Sequence, residues 1–140
     1  MVKEKLFLIT GHPRCGSGFM SNLFRQLGFD IGHEKLGQDG VSSWLMAVKD
    51  LNAPWGDNSS SYYVKFNYLI LYVRNPQDAL PSILLENEVE RSLNFRRNYI
   101  LRQLDFDINQ FSHPLDKAIA YFLGLNKIIE LQKPDQVVKV

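Results

Sequence analysis

The chain has 140 residues, of which 45% are hydrophobic and 22% are charged, as is typical of one globular domain. Sixteen basic against fifteen acidic side chains give a net charge of +1, which argues against a protein that binds nucleic acid by bulk charge. The single cysteine, Cys15, excludes an intrachain disulfide and a cysteine-built zinc site. No apolar run approaches the ~20 residues of a membrane span, and the start lacks the apolar region of a signal peptide. We therefore expect one cytoplasmic domain over 1–140, with no membrane or nucleic-acid partner.

Apolar runs and helical periodicity alternate along the chain. In chain order they predict a strand at 5–10, a helix at 17–27, a short strand at 29–31, a helix at 42–51, a surface loop at 52–61, a strand at 68–73, helices at 78–88, 92–104 and 115–131, and a strand at 136–140. Strands alternating with helices indicate an α/β domain with a mainly parallel sheet.

The segment between the first strand and the first helix, residues 11–18, reads GHPRCGSG. Its glycines let backbone N–H groups converge on an anion, and the start of the helix adds a favourable dipole. The spacing of Gly11 and Gly16 matches a nucleoside-triphosphate P-loop. However, Ser17 stands where that motif needs lysine, and Gly18 stands where it needs serine or threonine. The segment therefore disfavours an ATPase or a kinase.

Cys15 suggests a second interpretation, in which a thiolate heads the phosphate-binding loop of a cysteine phosphatase. Such a loop closes with an arginine six residues after the cysteine, and Ser21 stands at that position. A helix N-terminus can lower a thiol pKa, but the simpler interpretation of Cys15 is a small loop residue. A phosphatase is therefore disfavoured as well.

The sequence PRCGSGF, which starts at Pro13, resembles the 5′-phosphosulfate-binding loop of sulfotransferases. That loop typically reads Pro, Lys or Arg, Ser, Gly, Thr, Thr or Ser, then an aromatic or aliphatic residue. The positions that match are the basic residue Arg14, the glycine Gly16, the first hydroxyl Ser17 and Phe19, which can lie near the adenine. Cys15 and Gly18 depart from the pattern, and each loses a side-chain hydroxyl while keeping its backbone N–H. The alternative is a structural glycine turn.

Residues 72–82, YVRNPQDALPS, resemble the second signature of the same family. That signature is a strand ending in arginine, then Asp or Asn before Pro, and a serine eight residues after the arginine, and Arg74 and Ser82 match it. In the family these two side chains hold the 3′-phosphate of the donor, and a guanidinium suits a phosphate because it offers planar, charge-assisted donors. Ligands bind at the carboxyl ends of parallel strands, so we expect both signatures at one edge of the sheet. A capping or ion-pairing role is the alternative for Arg74.

The resemblance implies a P-loop-like three-layer α/β domain. Family members are commonly longer and close over the nucleotide with a basic C-terminal segment, which this sequence does not contain. Against that pattern, we expect the domain to be small or shortened. The resemblance implies a sulfotransferase that moves a sulfuryl group from 3′-phosphoadenylyl sulfate (PAPS) to a hydroxyl or amine acceptor, without a metal. A non-catalytic nucleotide- or anion-binding module derived from a sulfotransferase is the alternative, and a nucleotide kinase is less favoured. The acceptor is not identified, and a homo-oligomer is left open.

The same resemblance assigns the catalytic roles. Arg14 would stabilise the charge of the departing phosphate. Glu34 lies in a place comparable to the glutamate that serves as general base in tyrosylprotein-type sulfotransferases, and His33 is the second candidate. An exposed pair without a catalytic part is the alternative for these two residues.

The remaining polar and aromatic residues are expected to have ordinary roles. A backbone-turn role is expected for His12, with contact to the donor or acceptor as the alternative, and a turn or cap role for His113. Trp44 and Trp55 are expected to line an acceptor pocket or to pack in the core. For the arginines Arg91, Arg96, Arg97 and Arg102 we expect a solvated helix face with salt bridges to Glu86, Glu88 or Glu90, and contact with an acceptor or oligosaccharide is the alternative.

Overall fold

The computed structural model describes residues 2–47, 50–52 and 63–140, with the side chains of 50–52, 63 and 90–92 left outside the description. The strands are β1 Val2–Thr10, β2 Ile31–His33, β3 Gly40–Ser42, β4 Asp50–Asn52, β5 Tyr63–Val73 and β6 Gln136–Lys139. The helices are α1 Ser17–Gln26, α2 Pro76–Asn87, α3 Glu90–Leu104 and α4 Pro114–Glu130, and a 3₁₀ turn at Ile108–Gln110 precedes α4. Within the described ranges, no helix is long and apolar enough to cross a bilayer.

The strands form one sheet with β1 near its centre. β1 pairs in parallel with β3 on one side and with β5 on the other, and β2 pairs in parallel with β3. β6 pairs in parallel with the C-terminal part of β5, whereas β4 pairs antiparallel with its N-terminal part. The mainly parallel α/β sheet predicted from the sequence is therefore confirmed, with β4 as its antiparallel strand.

The register brings the ends of the inner strands to one edge of the sheet. Thr10, the last residue of β1, is paired with Leu71, and Ile9 is paired with Ser42 at the end of β3. His33, the last residue of β2, is also paired with Ser42. The loops that follow β1, β2, β3 and β5 consequently leave the sheet side by side, and this edge carries the candidate site.

Helices cover both faces of the sheet, which gives the three layers. On one face Ile9 and Tyr72 pack with residues of α1 and α2. On the opposite face Leu8 and Leu69 pack with residues of α3, and α4 contributes to both clusters. Each large apolar side chain buried in this way contributes about 1.5–3 kcal/mol to folding. The site therefore lies at the rim of a packed core.

Two helices begin at a proline preceded by a capping side chain. Pro76 opens α2, and the side-chain oxygen of Asn75 accepts a hydrogen bond from the Gln77 N–H at 3.1 Å. Pro114 opens α4, and the Leu115 N–H donates to Nδ1 of His113 at 3.2 Å. Proline suits the first helical position because its missing N–H would have no helical partner there. The cap role predicted for His113 is confirmed.

The helix predicted at 42–51 is wrong. Gly40–Ser42 is a strand, residues 43–47 form a turn, and Asp50–Asn52 is a second strand. Pairing with β1 outweighs the apolar spacing of this segment: Val41 is paired with Leu8, and the Ser43 N–H donates to the Ile9 carbonyl at 2.9 Å. The loop predicted at 52–61 meets the end of β4, and residues 53–61, including Trp55, lie outside the described residues.

The solvated face predicted for the arginines is wrong for Arg96. Its side chain is fully buried, donates from Nη2 to Oδ1 of Asn87 at 2.7 Å, and lies 5.1 Å from the ring centre of Tyr121. The reason is helix packing, because α3 contacts both α2 and α4. Arg97 does form a surface ion pair, with 2.9 Å between its Nε and Oδ1 of Asp107. The side chain of Arg91 lies outside the description.

Candidate functional site

A cavity of about 530 Å³ opens at the strand-end edge of the sheet, and we call it the anion pocket. Its walls come from the loop after β1 with the start of α1, the end of β2 with the residue after it, the turn after β3, the residue after β5, and α2. They are Pro13, Arg14, Gly16, Ser17, Gly18, His33, Glu34, Trp44, Leu45, Arg74, Ser82 and Glu86. The structure thus brings residues of both sequence signatures, and both candidate bases, to one cavity.

The loop after β1 has a shape that only glycine permits at two positions. A Cβ atom on Gly11 would overlap the backbone oxygen and the ring of Tyr72 on the neighbouring strand. Gly16 has a φ of 118°, in the left-handed region, and is the residue from which α1 starts. The first helical bond joins the Met20 N–H to the Gly16 carbonyl, so the N–H groups of Ser17 and Gly18 have no helical partner and are available to an anion.

Cys15 is placed for a structural role. Its backbone N–H donates to the His12 carbonyl at 3.2 Å, and this bond closes the loop. The side chain is buried, and burial raises the pKa of the Cys15 thiol to about 11, although the charge of nearby Arg74 acts in the opposite direction. A thiolate nucleophile at neutral pH is not supported by this environment.

Arg14 connects the two signatures. Its backbone has a φ of 68°, and its Nε donates a hydrogen bond to Oγ of Ser82 at 2.9 Å. Arg74 in turn donates from Nη1 to the Arg14 carbonyl at 3.2 Å. A left-handed backbone at a residue other than glycine costs about 1–3 kcal/mol and persists where the surroundings impose it. The Arg14 side chain thereby reaches Ser82, and both residues line the pocket.

Arg74 also lines two further cavities. One, of about 240 Å³, is formed with Cys15, Gly16, Phe19 and Val140. The other, of about 820 Å³, lies between α4 and β6 and is mostly apolar. Phe19, an aromatic residue predicted near an adenine, is largely exposed beside the first of these cavities. A ligand held by Arg74 therefore has apolar surface next to it.

Glu34 follows β2 and is held at the pocket wall. Its φ is 56°, its N–H donates to the Ser42 carbonyl at 3.0 Å, and its Oε2 accepts a hydrogen bond from Oγ of Ser43 at 2.5 Å. Burial raises the pKa of the Glu34 carboxyl, while the Ser43 hydroxyl and the charge of His33 act in the opposite direction. A partly buried carboxylate with a raised pKa at a cavity wall has the properties of a general base.

His33 lies between Glu34 and the start of α1. Its Nε2 is 3.0 Å from Oγ of Ser17 and 3.9 Å from Oε1 of Glu34. The imidazole therefore joins the candidate base to the first hydroxyl of the anion-binding loop. Behind them, Tyr72 is fully buried, and burial together with the Glu34 charge raises the pKa of its hydroxyl, so it stays neutral.

Leu45 and Glu86 line the pocket, and neither is predicted as a site residue from the sequence. The sequence predicts Glu86 only as a partner for surface arginines. Ser43, which bonds to Glu34 without itself lining the pocket, is predicted only as part of a helix. The signal that was available for Ser43 is its position immediately after a short Gly-Val-Ser strand. Trp44, predicted to line either a pocket or the core, lines the pocket and packs edge-on against the partly exposed ring of Phe95, with ring centres 5.8 Å apart.

Comparison with known proteins adds no family to this geometry: no family model matches the chain, and no curated protein or solved structure is significantly similar to it. Among the described residues, no group of three or more His, Cys, Asp or Glu side chains is arranged to hold a metal ion.

Proposed function

We propose that this chain is a sulfotransferase that moves a sulfuryl group from PAPS to a hydroxyl or amine acceptor. One observation carries the proposal. The anion pocket combines two arginines from two different loops, the open N-terminus of α1 and a carboxylate with a raised pKa. Cations and N–H groups suit a phosphosulfate, and the carboxylate suits an acceptor that must lose a proton.

The donor would be held by both signatures. The N–H groups of Ser17 and Gly18 and the guanidinium of Arg14 would take the 5′-phosphosulfate, because all three residues line the pocket. Arg74 would take the 3′-phosphate, and the nucleoside would lie against the neighbouring cavity beside Phe19. Ser82 accepts from Arg14 and keeps its own hydroxyl hydrogen for a phosphate oxygen.

In the transfer, a lone pair of the acceptor oxygen or nitrogen forms a bond to sulfur. The bond between sulfur and the 5′-phosphate oxygen breaks, and 3′-phosphoadenosine 5′-phosphate (PAP) leaves with the electron pair. Arg14 and the helix N–H groups stabilise the charge that develops on the departing phosphate. Glu34 accepts the acceptor's proton, and its Oε1 is the oxygen for this, since Oε2 is taken by Ser43. His33 is the second candidate for this proton.

A nucleotide kinase fits this pocket less well. Ser17 and Gly18 occupy the positions at which a kinase P-loop supplies the lysine for the β- and γ-phosphates and the hydroxyl for Mg²⁺. The cations present, Arg14 and Arg74, come from the turn before α1 and from the end of β5 instead.

The experiment is a turnover screen in which the protein and PAPS are incubated with a library of hydroxyl and amine acceptors. Mass spectrometry then detects sulfated product and PAP. We expect equimolar product and PAP with the native protein, and loss of both with Glu34→Gln. Binding of PAP without any sulfated product would support the non-catalytic module instead. Consumption of ATP with Mg²⁺ in a parallel reaction would support the kinase.

A further inference from the structure

We propose that Ser43 is a positioning residue that holds the Glu34 carboxylate at the wall of the anion pocket. That Glu34 acts as a base rests on the proposed function, whereas the contact between the two side chains does not. Ser43 belongs to the turn after β3 and is fully buried, so its hydroxyl has no competing solvent.

The hydrogen bonds around Ser43 fix the direction of its hydroxyl. The Leu45 N–H donates to Oγ of Ser43 at 3.1 Å, which uses the oxygen as an acceptor. The one hydroxyl hydrogen is then directed to Oε2 of Glu34, at 2.5 Å. A short hydrogen bond to a charged acceptor is among the stronger kinds in proteins. Ser43 therefore holds one carboxylate oxygen, Oε2, and leaves Oε1 without this bond, 3.9 Å from Nε2 of His33.

Backbone bonds anchor Ser43 to the anion-binding loop. Its N–H donates to the carbonyl of Ile9 on β1 at 2.9 Å, directly before the loop begins. The neighbouring Ser42 accepts the Glu34 N–H through its carbonyl, and its hydroxyl donates to the carbonyl of Ser17 at 2.7 Å. The distance between the carboxylate and the start of α1 is thus set by the sheet and not by a free loop.

The Ser43 hydroxyl also favours the ionised carboxylate. His33 faces Glu34 from β2, and the buried Tyr72 faces it from β5. The charged groups across the pocket are Arg14, Arg74 and Glu86. Burial raises the pKa of Glu34, and the hydrogen bond from the Ser43 hydroxyl lowers it. Removing this hydroxyl should therefore raise the pKa of Glu34 further.

The test is a titration of protein carrying ¹³C-labelled glutamate carboxyl groups, followed by NMR without donor or acceptor. The Glu34 signal is the one that disappears in Glu34→Gln. We expect Ser43→Ala to raise the pKa of Glu34 by about one unit, the size expected for a lost hydrogen bond to a charged group. Ser43→Thr, which keeps the hydroxyl, should restore the native value. If Ser43→Ala does not fold, Ser43→Gly takes its place in the titration, because glycine lacks the same hydroxyl.

Ser21→Ala is the matched control, because Ser21 is also buried and donates its hydroxyl to a backbone carbonyl, that of Ile31, at 3.2 Å. It should leave the Glu34 pKa unchanged. An equal pKa of Glu34 in native protein, Ser43→Ala and Ser21→Ala would overturn the inference. Once an active acceptor is known, the dependence of kcat on pH can be measured. In Ser43→Ala its acidic limb should move to higher pH by the same amount, while the affinity for PAP stays unchanged. A shifted NMR titration with no turnover for any acceptor would sustain the role of Ser43 and overturn only the proposed function.

Discussion

The Nε atom of Arg14 donates a hydrogen bond to Oγ of Ser82 at 2.9 Å, which joins two residues 68 positions apart in the sequence. The sequence signatures assign Arg14 to one phosphate of the donor and Ser82 to the other. In the structure the two side chains form one unit, and the energetics of binding should reflect this.

We predict that Arg14 and Ser82 contribute to PAP binding non-additively. Arg14→Lys keeps the charge but removes the Nε donor, and Ser82→Ala removes its acceptor. Each should weaken PAP binding, and the double variant should lose less than the sum, with a coupling of about 0.5–3 kcal/mol. Isothermal titration calorimetry of the four proteins measures this, and strictly additive losses would contradict a joint site.

Arg74 is predicted to read the 3′-phosphate. Arg74→Ala should weaken PAP binding by about 1.5–3 kcal/mol, the range for a hydrogen bond to a charged group, while binding of adenosine 5′-phosphosulfate changes less. Calorimetry with both nucleotides makes the comparison. Arg102→Ala is the control for loss of a cation, because Arg102 is exposed on α3 and bonds to the Asn98 carbonyl. Equal losses for the two nucleotides would show that Arg74 does not distinguish them.

Glu34→Gln should separate binding from chemistry. Glutamine keeps the shape and can still accept from Ser43, but it cannot take a proton. Turnover should fall about 10²–10⁴-fold while PAP affinity stays unchanged, as expected where general-base catalysis is lost. Steady-state kinetics and calorimetry on the same samples provide both values. If Glu34→Gln keeps full turnover and His33→Ala abolishes it, the base is His33.

The pH dependence of stability should report on His12. This side chain is fully buried, its Nδ1–H donates to the Pro13 carbonyl at 2.7 Å, and burial lowers its pKa to about 3. At a pH between this native pKa and the pKa near 6.5 of His12 in the unfolded chain, the unfolded chain binds a proton that the native protein does not. The free energy of unfolding therefore falls as the pH falls through this range. At pH 5 the loss from this residue is about 2 kcal/mol.

Urea unfolding at pH 7 and pH 5 tests this prediction against His12→Gln. The native protein should lose more stability between the two pH values than the variant does. The same loss in both proteins would show that His12 titrates normally. Because the comparison is a difference between two proteins, contributions from other titrating groups cancel.

Most of the fold could be predicted from the sequence, because β1, β5 and the four main helices carry strong local patterns of apolar residues. The structure of the segment after β2 could not be predicted from the sequence. The sequence predicts a helix over 42–51, and only the pairing of Val41 and Ser43 with β1 shows that this segment begins as a strand and a turn. The buried position of Arg96 could not be predicted for a similar reason. α3 packs against both α2 and α4, and the spacing of apolar residues within α3 does not indicate this packing.

The candidate site was partly predictable. The motifs around Arg14 and Arg74 follow apolar strands, and parallel strands end at a common edge, so their proximity could be expected. The contact of Glu34 with Ser43 depends on a left-handed backbone at Glu34 and on a turn whose structure the sequence did not indicate.

We propose above that the two loops form one site for a 3′-phosphorylated nucleotide, and a crystal structure with PAP bound would test this. We expect the 5′-phosphate within hydrogen-bond reach of the Ser17 and Gly18 N–H groups and of Arg14, and the 3′-phosphate on Arg74. A 5′-phosphate bound away from the start of α1, or no bound nucleotide at saturating PAP, would contradict it.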